Sequence, residues 1–191
     1  MKIFWFDTET TGVDWHNCAI VQLAYQVEIG GEIKDSGEIK IMPHEGADIS
    51  PEAFAVNGLS LEQVNAPPYI LPAEAYRNLL AVFGRHIDKF NRNDKFHVGG
   101  YNVRFDIDML SALFRRMGDK YFGSWTNYRA LDALHLCWAC EHQGLLALPD
   151  YKLGTVADHF GIKFDAHNAI GDIETTRMIY SKAMALLRGQ S

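Results

Sequence analysis

The chain has 191 residues and a formal net charge of −6, with 48% apolar and 22% charged residues, the proportions of an ordinary soluble globular protein. An acid excess argues against a broad basic surface that coats nucleic acid, and no apolar run approaches the length of a membrane span. Three cysteines supply no disulfide framework. The length fits one domain over 1–191 with a substantial core. Because the N-terminus enters a strand directly, without a leader, the cytoplasm is the expected location.

In chain order, Lys2 to Phe6 is an apolar, aromatic run suited to a buried central strand. It runs into Asp7 and Glu9, which point to the same face of an extended chain. Two like charges beside a core strand repel, and burial adds to the cost. A divalent cation that takes hard oxygen ligands, Mg²⁺ or Mn²⁺, would remove both penalties. The alternative is a strand that surfaces into a polar turn ending at Gly12. Ile20 to Ile29 alternates, with Val21, Leu23, Tyr25, Val27 and Ile29 on one face. Gly30-Gly31 is a hairpin turn and Glu32 to Ile41 the return strand, which completes an antiparallel meander.

Helical signals follow. Ser50-Pro51 starts a helix, and Ser60-Leu61-Glu62-Gln63 is a capping box. Pro67-Pro68 breaks the chain before a helix over 72–90, whose buried stripe is Leu79, Leu80, Phe83 and Ile87. Phe96 to Gly100 is a short strand, parallel to the first if the helices form the crossover. Asn102 is placed to cap a helix reaching about Met117. Asn127 to Leu131 is a fifth strand, and Asp132 caps the helix carrying Cys137 and Cys140. A redox pair would sit at a helix N-terminus and zinc would need two more ligands, so these cysteines are expected to be buried and inert. Tyr151 to Phe160 is a short helix closed by Gly161, and Ala169 to Leu187 is the last. This order predicts an α/β fold: a mixed five-stranded sheet, three antiparallel strands then parallel ones, with helices on both faces.

Two further carboxylates stand out by position. Asp106 lies one turn before the apolar stripe Leu110, Leu113, Phe114 and Met117 and shares its face. Asp108 is rotated away, a solvated surface charge. On the last helix Asp172 extends the inward stripe Thr176, Ile179, Ala183 and Leu186 by one turn. Each acid alone could serve a helix N-terminus; two beside an Asp-x-Glu strand end point to a shared site. His167 precedes Asp172 by five residues and is the histidine singled out. The other seven are assigned to surface or packing roles. Tyr121, Phe122, Trp125 and Tyr128 could stack on bases, but packing against the sheet is favoured.

Phe6-Asp7-Thr8-Glu9-Thr10-Thr11-Gly12, Tyr101-Asn102-Val103-Arg104-Phe105-Asp106 and His167-Asn168-Ala169-Ile170-Gly171-Asp172 resemble, in order, the three motifs of the DnaQ-like 3′–5′ exonucleases. This is the group with four acidic residues and a histidine, which contains the proofreading subunit of bacterial replicative DNA polymerase. Residues 51–58 and 151–154 also resemble family segments, so the similarity spans almost the whole chain. The resemblance implies a ribonuclease-H-like fold and hydrolysis of phosphodiester bonds by two divalent ions, Mg²⁺ or Mn²⁺, about 3.5–4 Å apart. It implies that Asp7, Glu9, Asp106 and Asp172 hold the ions and that His167 is the general base for the attacking water. It also implies recognition of the terminal nucleotide by Thr10, Thr11, Gly12, Glu52 and Asn57, with Asn102 in the second motif beside them.

Proofreading members commonly carry His where this chain has Asn57, a side chain that hydrogen-bonds but cannot carry charge. The implied partners are single-stranded or frayed 3′ ends of DNA or RNA, with no membrane. Polymerase association is compatible with the family, but no tethering tail follows the last helix. The competing function, a non-catalytic nucleic-acid-binding protein on the same fold, is disfavoured by the intact acidic set with its histidine. A third, a zinc or redox protein built on the C-x-x-C pair, has only that spacing behind it.

Overall fold

The computed structural model describes residues 1–163 and 169–189. Its strands are β1 (Lys2–Thr10), β2 (Ile20–Ile29), β3 (Glu32–Lys40), β4 (Phe96–Gly100) and β5 (Thr126–Asp132). Its helices are α1 (Pro51–Asn57), α2 (Leu61–Val64), α3 (Pro72–His86), α4 (Arg104–Arg116), α5 (Ala133–His142), α6 (Leu153–His159) and α7 (Ala169–Leu187). The sheet order is β3-β2-β1-β4-β5. The β1–β2 and β2–β3 pairs are antiparallel, and the β1–β4 and β4–β5 pairs are parallel. This is the mixed five-stranded sheet expected from the order of elements.

β1 lies at the centre because both of its faces are apolar. On one face Phe4 and Phe6 meet Phe83 of α3, Phe96 of β4 and Leu110 and Phe114 of α4. The Phe4 and Phe83 rings meet edge to face with centroids 4.9 Å apart, a favoured aromatic geometry. On the other face Ile3 and Trp5 pack with Ala24 of β2 and with Ala169 and Ile173 of α7. Gly99 of β4, opposite Trp5, leaves room for that ring: a Cβ there would stand 2.4 Å from it.

Polar bonds fix α7 on its face. Arg177 donates from Nη2 and Nε to Glu28 Oε2 on β2, at 2.8 and 3.1 Å, and Trp5 Nε1 donates to the same oxygen at 3.1 Å. Gln26 Nε2 donates to Glu174 Oε1 at 3.2 Å. A charge-assisted pair shared between β2 and α7 sets the register of the helix along the sheet as well as its distance.

Three expected boundaries move. β1 continues four residues beyond Phe6, since Asp7, Thr8 and Glu9 pair with Ala24, Leu23 and Gln22 before a register shift at Thr10. α3 stops at His86, where Ile87 turns extended at φ −127° and ψ 132°. The following loop is held by Asp94, which accepts from the Asp88 N–H at 3.0 Å and pairs with Lys2 at 2.6 Å. Asn102 is not the cap of α4. It adopts a left-handed φ of 56°, and Val103 takes the N-cap position without a side-chain bond. The reason lies in Asp132, described below.

Candidate active site

The parallel pairing of β1 with β4 runs from Ile3 only to Trp5, opposite Gly99. Beyond it β1 carries Asp7 and Glu9 past the carboxyl end of β4, into the crevice where open α/β sheets bind ligands. On one side of that crevice α4 begins, and on the other α7 presents Asp172 from its first turn.

Asp106 is buried one turn into α4. Its Oδ1 accepts two bonds from Thr8, 3.0 Å from the backbone N–H and 2.6 Å from the hydroxyl. The residue between Asp7 and Glu9 therefore anchors the second motif to the first. Sequence inspection gave Thr8 no role; its place between two acids was the available signal.

Asp132, expected only to cap α5, joins three segments. Its carboxylate accepts from the Leu134 and His135 N–H groups at 3.0 and 3.3 Å, starting α5. It also accepts from the N–H groups of Asn102 and Val103, at 3.1 and 3.0 Å. The left-handed Asn102 turn aims those two donors at one carboxylate, and this fixes where α4 begins and where Asp106 stands.

The repulsion the acids exert on one another marks their convergence. Burial, then the charges of Glu9 and Asp172, push the Asp7 carboxyl up from 3.8 to about 7. Burial and the charge of Asp7 raise Asp106 well above the usual carboxylate range, against the opposing Thr8 bonds. Asp7 thus feels Glu9, Asp106 and Asp172 at once. Among the described residues no three acidic, histidine or cysteine side chains stand at the spacing of a closed metal cage. The donor set nevertheless suits a hard divalent cation: carboxylate oxygens only, Asp106 buried and the other three half-buried, and mutually repelling. His167 lies outside the described residues.

A cavity of about 670 Å³ adjoins the end of β1, lined by Thr8, Glu9, Thr10, Gly12, Glu52 and Asn57 among others, with Phe105 of α4. Asn57 donates from Nδ2 to the Thr10 carbonyl at 2.9 Å, tying α1 to the end of β1. Glu52 lies on exposed α1 and accepts from the Ser50 hydroxyl at 2.8 Å, which holds its carboxyl below the usual range. Gly12 leaves room for the wall, since a Cβ there would stand 2.7 Å from Cys18 Sγ. Two residues expected here are not in this lining. Thr11 is 0% exposed, its hydroxyl donating to the Asp48 carbonyl at 2.6 Å and accepting from the Ala19 N–H at 2.9 Å. Asn102 is exposed on the turn before α4.

A sequence model of the Exonuclease family matches residues 4–180. The chain belongs to that family. It is 26% identical over 183 residues to a PolC-type DNA polymerase III of Oceanobacillus iheyensis, covering 95% of this chain and 11% of the polymerase. Among solved structures, Escherichia coli exonuclease I with a dT13 oligonucleotide superposes with a TM-score of 0.76 at 20% identity, over 96% of this chain and 40% of that one. The zinc-bound complex of the same enzyme with single-stranded DNA gives 0.76 at 20% identity, over 98% and 40%. These likenesses bear on the fold, and the chain spans well under half the length of each relative. The sheet is accordingly the ribonuclease-H-like one that the motifs implied. The outlying aromatic residues divide: Trp125 is buried and Phe122 packs against the core, but Tyr121 and Tyr128 are 74% and 87% exposed.

Proposed function

We propose that the chain is a metal-dependent 3′–5′ exonuclease that releases nucleoside 5′-monophosphates from DNA or RNA ends. The observation that carries this is the convergence of Asp7 with Glu9, Asp106 and Asp172 beside a cavity at the carboxyl end of β1. Membership of the Exonuclease family supports it. Exonuclease I, a relative in fold, is seen with single-stranded DNA and with zinc, which favours a single-stranded end as substrate. The PolC-type relative is part of a polymerase, so a role beside a polymerase is included in the proposal.

Asp7, Glu9, Asp106 and Asp172 would hold two divalent ions, Mg²⁺ or Mn²⁺. When bound, such ions stabilise negative charge on the attacking and leaving oxygens of an in-line displacement at phosphorus. The protein's own part is to position groups and move a proton. Thr8 and Asp132 hold the α4 acid in place, and the Arg177–Glu28 bond holds the helix that carries Asp172. Thr10, Gly12, Glu52 and Asn57 wall the cavity that receives the terminal nucleoside. Asn57, already bonded to the Thr10 carbonyl, fixes that wall in place of a charged contact. His167 takes the proton from water as it attacks, general-base work for which histidine is the commonest side chain.

The test offers end-labelled linear single-stranded DNA, duplex DNA, RNA and circular single-stranded DNA with Mg²⁺ or Mn²⁺. Stepwise release of 5′-monophosphates from the 3′ end is expected, with circles resistant. Rapid internal cutting of circles by homogeneous protein would overturn the proposal.

A further inference from the structure

A second cavity, of about 600 Å³, opens between α4 and the edge strand β5, away from the one beside Asp7. Its walls carry Arg92, Lys95, Arg104 and Arg115 against one acid, Asp108, in a chain of formal net charge −6. Asp108 is not the solvated charge its position promised. Arg104 holds it with Nη2 2.8 Å from Oδ1 and Nε 2.9 Å from Oδ2. Lys95 donates to the Gly123 carbonyl and the Arg115 guanidinium lies 5.6 Å from the Trp15 ring centroid. Neither partner carries negative charge, so with Arg92 they keep the cleft positive, and low-dielectric walls focus such a field. At the rim stands exposed Tyr128, with the Arg129 guanidinium 5.4 Å from its ring centroid.

Position adds to composition. Arg104, Asp108, Ser111 and Arg115 form one stripe of α4, and at a rise of 1.5 Å per residue it extends roughly 16 Å. The stripe begins two residues before Asp106 and leads away from the catalytic acids. A polyanion with one end at Asp7 would meet its cations in succession. Cations that track phosphates, together with an outstanding aromatic ring, are the combination that grips single strands. An acidic protein segment would satisfy the cations but leave the Tyr128 face opposite Arg129 without a stacking partner.

We propose that the α4–β5 cleft is a second subsite, binding the single-stranded part of the substrate upstream of the scissile bond. Arg92 and Arg115 hold phosphates, and Tyr128 stacks a base. This rests on the nuclease function above, but its test is separable because binding needs no turnover. Anisotropy of 5′-labelled dT12 is measured in EDTA over a salt series for wild type, Arg92→Gln/Arg115→Gln and Tyr128→Ala. Turnover with Mn²⁺ is measured on dT12 and on the p-nitrophenyl ester of thymidine 5′-monophosphate, which has no upstream strand.

The double substitution is expected to flatten the salt slope by about 1.4, at roughly 0.7 per phosphate contact on a single strand, and to raise KM for dT12 at constant kcat. Tyr128→Ala is expected to weaken dT12 about 5- to 150-fold with the slope kept, the worth of one stacked base. Turnover of the nitrophenyl ester should be unchanged in both. Unchanged dT12 affinity and slope, or an equal loss on the nitrophenyl ester, overturns the proposal. So does displacement of labelled dT12 by polyglutamate at lower concentration than by unlabelled dT12, which would assign the cleft to an acidic protein segment. If no variant, wild type included, cleaves any substrate yet the slope still flattens, the nuclease function fails and the cleft stands.

Discussion

Two parts of the molecule bury ionisable side chains, and they treat them in opposite ways. Cys137 and Cys140 sit in a core made by α5, α6 and α7. Burial, then Cys140 and Asp132, push the Cys137 thiol up to about 12, so it stays neutral and acts as a small apolar side chain. Asp7 is half-buried, and its carboxyl rises by a similar amount, from 3.8 to about 7; starting lower, it stays within reach of ionisation at neutral pH. A thiol that need not ionise resolves its burial by keeping its proton. Four acids that must share a crevice can do so by holding protons or by holding a cation. That second option separates a packing site from a chemical one, although burial alone makes the two look alike.

The largest test of this contrast is Asp7→Asn. It should reduce hydrolysis of labelled single strands to background while the protein stays folded, because the neutral amide removes both the field and a hard ligand. Activity within tenfold of wild type would place the chemistry elsewhere. Next comes Asp132→Asn, which keeps one acceptor oxygen but not both. Positioning groups of this kind are worth about 10–100-fold in activity, and the loss is expected in kcat, with the melting temperature in saturating Mn²⁺ close to wild type. A loss confined to KM would show that Asp132 does not act through Asp106.

A third test reads the acids through stability. Asp7 binds its proton more tightly in the folded chain than in the unfolded one. The stability this contributes is therefore full below pH 3.8 and is lost as the pH rises through about 7. In EDTA the melting temperature of wild type, relative to Asp7→Asn, should fall between about pH 4 and about pH 7 and level off above that. Mn²⁺ requires ionised carboxylates, so it should oppose that fall. Asp106→Asn also removes a repelling charge, and should melt at or above wild type in EDTA at pH 8 while gaining less from Mn²⁺. A wild-type curve that rises with pH in EDTA, relative to Asp7→Asn, would mean that the carboxylates are stabilised by something other than protons. The smallest effect belongs to the thiols. Cys137→Ala should cost about 1 kcal/mol, as modest core truncations do, and leave activity and metal response within twofold. A larger loss of metal response would reopen a metal role for the C-x-x-C pair.

The sequence alone carried the element order, the antiparallel meander, the capping box and the convergence of Asp7, Glu9, Asp106 and Asp172, because each leaves a local mark: alternation, a cap residue or an acid at helical spacing from an apolar stripe. What it did not carry depends on groups far apart in the chain. Asn102 has good cap chemistry, yet Asp132, 30 residues on, draws its N–H into a left-handed turn. α3 ends at His86 although its pattern continues, with Asp94 holding the loop beyond through Asp88 and Lys2. Thr11 fits the family motif but spends its hydroxyl on Asp48 and Ala19. The basic cleft gathers Arg92, Lys95, Arg104 and Arg115 from separate segments, so a net charge of −6 hid it. Local propensity is written residue by residue. Where a carboxylate or an arginine finds its partner is decided only when the sheet closes and distant segments compete for the same donors.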